Sequence, residues 1–314
     1  MATASALSNT FSQPGALISE NFADVLDARM AFVKRRAWNQ PIVGLKYYDV
    51  RNTNRAYEKH SYIAGGEIVP RSADTDAVPQ STAVQGFDNT YTMQEYRLGV
   101  RLARKLIETD QFSVIDKHME DLNVSARDTI ELYAALPFNT TFGSTVDWVC
   151  ADGMLLCDSA RNSEDPAAGS WSNLETAAAM SQATIATMRL NFYKTVNERG
   201  RKRPIIMKDM IIPSDLQDTI ITQLKSAQKP GTALNDMNFN TQYGLSYDVW
   251  PYLTSTTAFF GVGNGTNELV WYWRVKPGIL NYDSGNPDVM AYRLRMSFVS
   301  GADRPTNLRG NAGA

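Results

Sequence analysis

The spacing of apolar residues divides the chain into stretches of different period. Phe22, Val25, Leu26, Met30 and Val33 recur at helical spacing behind Ser19, a good cap, and the run closes on Lys34, Arg35 and Arg36, which suit a helix C-terminus. Tyr96, Leu98, Val100 and Leu102 alternate with Glu95, Arg97, Gly99 and Arg101, the period of a strand with one buried face. After Thr109-Asp110 the apolar positions are Phe112, Ile115, Met119, Leu122, Ala126, Ile130 and Tyr133, in steps of three and four. They predict a helix over 111–136, ~39 Å long at ~1.5 Å per residue. Pro137 should kink or end it.

The middle, 149–260, reads as alternating helix and strand. Ser172-Asn173-Leu174-Glu175 has the capping-box pattern and predicts an Ala-rich helix running to about Arg199, with Gly200 as its stop. Ser214-Asp215-Leu216-Gln217 is a second such pattern, predicting a helix to about Ala227. Strands are expected at 207–212, 247–250 and 258–262, and two β-rich runs at 268–275 and 290–299. The stretch 43–92 differs. Strand-like pieces at 43–50 and 57–63 are broken by Gly65-Gly66 and by a polar run over 72–80, and nothing here could bury a core of its own. Folded back as a hairpin, ~25 residues per leg at ~3.3 Å each would reach up to ~80 Å. Loops this long are uncommon unless functional.

Composition narrows the class. The 314 residues carry 31 basic and 33 acidic side chains, with 43% hydrophobic residues. That is enough apolar material for a sizeable core and two domains. A net charge of -2 disfavours a dedicated nucleic-acid binder. Met1 to Pro14 has no basic start followed by an apolar run, so no signal peptide is expected, and no window approaches the ~18 apolar residues of a bilayer span. The expectation is a soluble protein made in a reducing cytoplasm.

Candidate chemistry is sparse. His60 and His118 have no carboxylate or cysteine at ligand spacing, so surface or packing roles are expected. Cys150 and Cys157 lack the second pair of a zinc site and read as small buried hydrophobes; an oxidised pair stays open. Gly261-Val262-Gly263-Asn264-Gly265 is followed by a strand-like run rather than a helix, which suits a turn and not a phosphate loop. Arg199, Arg201, Lys202 and Arg203 follow a predicted helix end and suit an acidic neighbour better than nucleic acid. No catalytic residue, cofactor site or metal site is expected, and the chain is not read as an enzyme.

Several stretches nonetheless resemble one family. Met210-Ile211-Ile212-Pro213-Ser214-Asp215-Leu216, Lys229-Pro230-Gly231-Thr232-Ala233 with Asn235-Asp236-Met237-Asn238, and Asp248-Val249-Trp250-Pro251-Tyr252-Leu253-Thr254 resemble major capsid proteins of tailed bacteriophages of the Hong Kong 97 type. Ser125-Ala126-Arg127-Asp128-Thr129-Ile130-Glu131, Ala151-Asp152-Gly153-Met154-Leu155-Leu156-Cys157 and Gly169-Ser170-Trp171-Ser172-Asn173 resemble the Mu-like branch, and Tyr292-Arg293-Leu294-Arg295-Met296-Ser297 fits as well. The similarity covers about 91–299. Pro137 in the long helix and Arg161-Asn162, where related sequences tend to carry His-Pro, depart from the pattern.

The resemblance implies an α+β Hong Kong 97-type capsid fold: an N-terminal arm over 1–42, an extended loop over 43–92, a peripheral domain with the long helix over 93–148 and 268–314, and an axial domain over 149–267. It implies a major capsid protein that self-assembles into hexamers and pentamers of an icosahedral phage shell around double-stranded DNA. Its expected partners are other copies, a separate scaffolding protein and portal during assembly, a decoration protein, and packaged DNA touched weakly and non-specifically; no membrane is involved. The expected location is the virion, after assembly in the bacterial host cytoplasm. The alternatives are the shell of an encapsulin-like nanocompartment and, more distantly, an α/β enzyme. In the extended loop, Tyr47, Tyr48, Arg51, Arg55, Tyr57, Glu58, Lys59, Tyr62 and Ile63 are the candidate intersubunit contacts, the apolar ones for burial and the charged ones for rim ion pairs.

Overall fold

The computed structural model describes residues 42–61, 63, 68–71, 77–78, 80–81, 83–103, 105, 112–143, 148–228, 237–266, 268–282 and 289–314. Apart from Ile42, the expected arm and its helix lie outside the described residues, as does Tyr62. In chain order the strands are β1 (Tyr48–Asn52), β2 (Tyr57–His60), β3 (Asn89–Thr92), β4 (Gln94–Ala103), β5 (Arg161–Asn162), β6 (Ser170–Trp171), β7 (Met207–Ile212), β8 (Ser246–Val249), β9 (Phe259–Gly263), β10 (Leu269–Tyr282), β11 (Val289–Ala302) and β12 (Leu308–Asn311). The α-helices are α1 (Phe112–Thr140), α2 (Gln182–Tyr193) and α3 (Gln217–Lys225). The fold is α+β, with one four-stranded sheet in the order β1-β10-β11-β4 and another in the order β12-β9-β7-β8.

Packing separates the described residues into two units, one of 97–128 and 277–295, the other of 42–96, 129–276 and 296–314. In the first, Met119, Leu122 and Ala126 of α1 are buried at the steps of three and four that the periodicity predicts. The second unit holds the β12-β9-β7-β8 sheet. Here β7 runs parallel to β8 and antiparallel to β9. The core beside it joins Ile185, Met188 and Phe192 of α2 to Met210 and Ile212 of β7 and Ile220 and Leu224 of α3. Gly261 of β9 lets α2 lie close, because a Cβ there would sit 2.7 Å from Met188 Sδ and 3.0 Å from Phe192 Cε2.

Four expectations change. Pro137 does not end α1, which runs on to Thr140. The lost N–H is tolerated there because the last turn is tied from outside: Asn139 accepts from Thr254 N at 2.9 Å and donates to Tyr252 O at 3.0 Å. The first capping-box pattern opens no helix. Asn173 is buried and spends its amide on the carbonyls of Leu156, Pro305 and Leu308, at 2.8, 3.2 and 3.3 Å. Glu175 N donates to Gly310 O at 2.8 Å and its carboxylate takes Arg309 Nε at 2.6 Å. Long-range partners thus hold this stretch extended along β12, and the helix starts later, at Ser181, where Ser181 and Thr184 form a true capping box. The second pattern does precede a helix, but a 3₁₀ turn at Ser214–Leu216 comes first and no side-chain cap forms. The C-terminal residues, expected with the long helix, run instead as β12 antiparallel to β9, Leu308 opposite Val262 and Asn311 opposite Phe259.

Arg161, one of the departures from the family pattern, is fully buried. Its guanidinium pairs with Asp152 at 2.8 Å and caps the carbonyls of Leu155 and Leu156 at 2.6 and 3.1 Å. It also lies 5.4 Å from the Trp171 ring centroid, against which Arg304 packs at 4.9 Å while pairing with Glu164 at 2.7 Å. Cys150 and Cys157 are free and buried. Burial pushes each thiol up to about 12.

Two outcomes follow from this packing. Arg161→Met strands the Asp152 carboxylate, and loss of one partner of a buried pair costs ~3–5 kcal/mol. The unfolding free energy from urea denaturation should fall by that amount, as a lower midpoint at unchanged m-value; a change below ~1 kcal/mol would contradict the assigned role. The thiols should add an alkaline weakness. Their folded values, about 12, stand above the unfolded value of 9.0, so their contribution is complete below pH 9 and is lost as pH rises toward 12. Between those limits the Cys150→Ala, Cys157→Ala double variant should lose less stability with rising pH than the parent, read by denaturation at stepped pH.

Candidate functional surface

The extended segment begins with a fixed foot. The N–H groups of Val43 and Gly44 donate to the Glu131 carboxylate at 2.6 and 3.1 Å, and Trp250 Nε1 donates to the same group at 2.8 Å. Glu131 is a buried residue of α1. Only glycine fits at position 44, because a Cβ would stand 2.7 Å from Ala134 Cβ and from Trp250 Cζ2. A 3₁₀ turn at Gly44–Tyr47 then delivers the chain into β1, which lies parallel to β10 with Tyr48 opposite Leu269 and Asn52 opposite Trp273.

Tyr47 and Tyr48 belong to this foot. Both are 4% exposed. The Tyr48 hydroxyl donates to Ala134 O at 2.9 Å, and its ring meets Trp271 edge-on, centroids 5.6 Å apart. Tyr47 donates to Asp248, which also pairs with Lys46. Burial and then the Asp248 carboxylate push the Tyr47 hydroxyl up, and the hydrogen bonds from Lys46 and Tyr47 outweigh burial to hold Asp248 below its ordinary value. These two tyrosines, expected as contacts to a neighbouring subunit, are packed in the single chain against their own α1, β10 and Asp248. Of the strand expected over 43–50, residues 44–47 form a 3₁₀ turn instead and only 48–50 belong to β1, at a sheet edge.

Above the foot, β2 and β3 pair antiparallel, Tyr57 opposite Thr92 and His60 opposite Asn89. A polar network pins this hairpin. His60 Nδ1 lies 2.8 Å from Asp303, while its Nε2 meets the Tyr272 hydroxyl; Tyr91 donates to the other Asp303 oxygen. Arg51 Nη1 reaches the Tyr272 hydroxyl at 3.3 Å. Tyr91 lies over Gly301, where a Cβ would be 1.9 Å from its ring. The Tyr91 hydroxyl is pushed up by burial and then by Asp303.

The charged candidates find partners within the chain: Arg51 with Asp49 at 2.7 Å, Arg55 with Glu58 at 3.4 Å and Lys59 with Asp88 at 3.2 Å. Tyr57 and Ile63 stay 60% and 72% exposed. Beyond them Ile68, Val69 and Val78 are 73%, 89% and 78% exposed, so the apolar surface of the segment lies further along than the tyrosines suggest. His60 and Asp303 were missed as a pair because 243 positions separate them and no local spacing joins them.

The phage capsid protein family model matches residues 88–310, well over half of the chain. Among curated proteins nothing matches. Among solved structures, one titled "Capsid of empty GTA particle computed with C5 symmetry" aligns over 87% of this chain and 90% of its own at 12% identity and a TM-score of 0.56. One from Mycobacterium phage Bobi aligns over 88% of this chain and 91% of its own, at 13% identity and a TM-score of 0.54. One from Microbacterium phage Oxtober96 covers 88% and 92%, at 10% identity and 0.53. At such identities these likenesses speak for the fold, and the family match speaks for the role. With its Hong Kong 97-type fold, the chain belongs to the phage capsid protein family and builds an icosahedral shell from copies of itself.

Proposed function

We propose that the segment over 43–92 is the part of this capsid protein that reaches a neighbouring copy, and that its aliphatic residues are buried there. The observation that carries the reading is the run of exposed Ile63, Ile68, Val69 and Val78 on a hairpin whose base is pinned. Aliphatic side chains at such exposure favour a covering surface. A pinned base lowers the ordering cost of docking, so that more of the burial becomes binding free energy. In this reading the arm is 1–42, the peripheral domain joins 93–148 to the late strands β10 and β11, and the axial domain is 149–267 completed by β12.

The subunits form hexamers and pentamers around double-stranded DNA, with a separate scaffolding protein and a portal guiding assembly in the host cytoplasm and a decoration protein as a further partner. Each contact is individually weak. Several contacts to different neighbours, made together, give the shell its strength through effective concentration. The near balance of 31 basic and 33 acidic residues suits a wall that touches DNA without gripping it.

Replacing Ile68 and Val69 together by Asp should leave the far-ultraviolet circular dichroism spectrum unchanged, since both side chains are exposed in the single chain. Co-expressed with its scaffolding protein, the double variant should yield at least about tenfold fewer sedimenting shells, the effect of ~1.4 kcal/mol per contact. Arg51→Ala removes an exposed pair worth ~0–1 kcal/mol and should assemble nearly as the parent does. Normal shell yield from the aspartate variant would remove this segment from the intersubunit contacts.

A further inference from the structure

A groove of about 720 Å³ opens between the start of α2, the end of α3 and the 3₁₀ turn at Phe239–Tyr243. Its walls include Gln182, Ala186, Arg189, Gln223, Asn240 and Tyr243. Two features mark it as a binding site rather than an accident of packing. Asn240 is 2% exposed, and its Nδ2 has no acceptor among the described residues. Arg189 Nε is likewise buried and without an acceptor among them, while its guanidinium stacks 3.5 Å from the Tyr243 ring centroid. A buried donor left unmade costs ~1–3 kcal/mol, so two such donors in one groove call for a ligand that supplies acceptors. The stacked guanidinium adds positive charge and holds its donors in a fixed plane. The rim is apolar: Met237 and Phe239 are 57% and 63% exposed.

The complementary group is present on the same chain. Asp215 and Asp218 are exposed at the start of α3, and neither carboxylate has an ion-pair partner among the described residues. Gln223 of the groove lies in the last turn of α3 and Asp218 in its first. At ~1.5 Å per residue the two ends are separated by ~7.5 Å along the axis. Acids at one end of an element and an acid-accepting groove at the other make a head-to-tail pair, the arrangement that closes into rings when copied by rotation.

We propose that the Arg189–Asn240 groove of one subunit receives the Asp215 and Asp218 carboxylates of a second copy of this chain, forming a directional contact between neighbours within one ring of the shell. The proposal rests on the shell-building role already assigned. The carboxylate supplies the acceptors that Asn240 Nδ2 and Arg189 lack, and Met237 and Phe239 are covered as it docks.

The test compares four chains co-expressed with the scaffolding protein: the parent, Arg189→Glu, the pair Asp215→Lys with Asp218→Lys, and all three changes on one chain. The parent must form shells; if it does not, the assigned role fails before this contact is at issue. Each charge reversal alone should cut the yield of sedimenting rings and shells by at least about tenfold, because like charges then meet. The combined chain should recover most of the parent yield. The aspartate changes lie on an exposed surface and serve as the variant whose folding is secure, checked by circular dichroism. Normal assembly of the aspartate variant overturns the proposal. So does loss of assembly in both single reversals without recovery in the combined chain, an outcome that would assign the groove to a different protein partner.

Discussion

One buried carboxylate holds the architecture of the extended segment in place. Glu131 accepts hydrogen bonds from two successive backbone N–H groups at Val43 and Gly44 and from the indole of Trp250. These donors come from positions far apart in the chain, so a single side chain fixes the point where the segment leaves the body. Removing the carboxylate would leave the buried donors of Gly44 and Trp250 unmade, which is why its burial is tolerated: charge-assisted bonds to a carboxylate are roughly twice as strong as neutral ones. The contact also sets the identity of its neighbours. Gly44 must lack a side chain for the backbone to approach, and Trp250 and Ala134 supply the wall it approaches.

From that point the chain is committed in steps. The 3₁₀ turn rotates Tyr47 toward Asp248 and Tyr48 toward α1, β1 joins β10, and the hairpin above is held by His60, Asp303, Tyr272 and Tyr91. Aromatic stacking stiffens the same region, with Phe298 near-parallel to both Tyr96 and Trp271 at 4.5 Å. The result is a contrast along the segment: Tyr47, Tyr48 and Tyr91 with their polar partners serve its attachment, while Tyr57, Ile63, Ile68, Val69 and Val78 stay exposed. The charged residues of β1 and β2 neutralise one another within the chain, so the segment does not carry a strong field of its own.

Periodicity made α1 legible, because Met119, Leu122, Ala126 and Ile130 bury one face of a regular helix; β4, β7 and the late strands are present too, but Leu98 of β4 stays 47% exposed and β7 buries Met210, Ile211 and Ile212 in succession. It failed where buried polar groups decide the outcome. Asn173 and Glu175 looked like cap residues, and only their partners on β12, more than a hundred positions away, reveal that they clamp an extended strip. Pro137 misled for a related reason, since outside hydrogen bonds support the turn it weakens. In the candidate segment the sequence pattern marks aromatic positions, whereas the exposed Ile68, Val69 and Val78 carry no repeat that would single them out. Of the family motifs in the middle of the chain, those at 210–216 and 248–254 include the ends of β7 and β8 and the turns that follow, while 229–236 lies outside the described residues.

The clamp between the 173–178 strip and β12 has a bearing on timing. Sequence separations of 132 to 135 link Asn173 and Glu175 to their partners at 305–309. Contacts of that span form slowly, since a long loop must close before they repay the cost. β12 is made after the other described strands, and until it arrives the outer edge of β9 is an unpaired row of backbone donors and acceptors. The sheet therefore stays open at one edge until β12 has been made. A chain that stops short of β12 presents that open edge to any strand it meets.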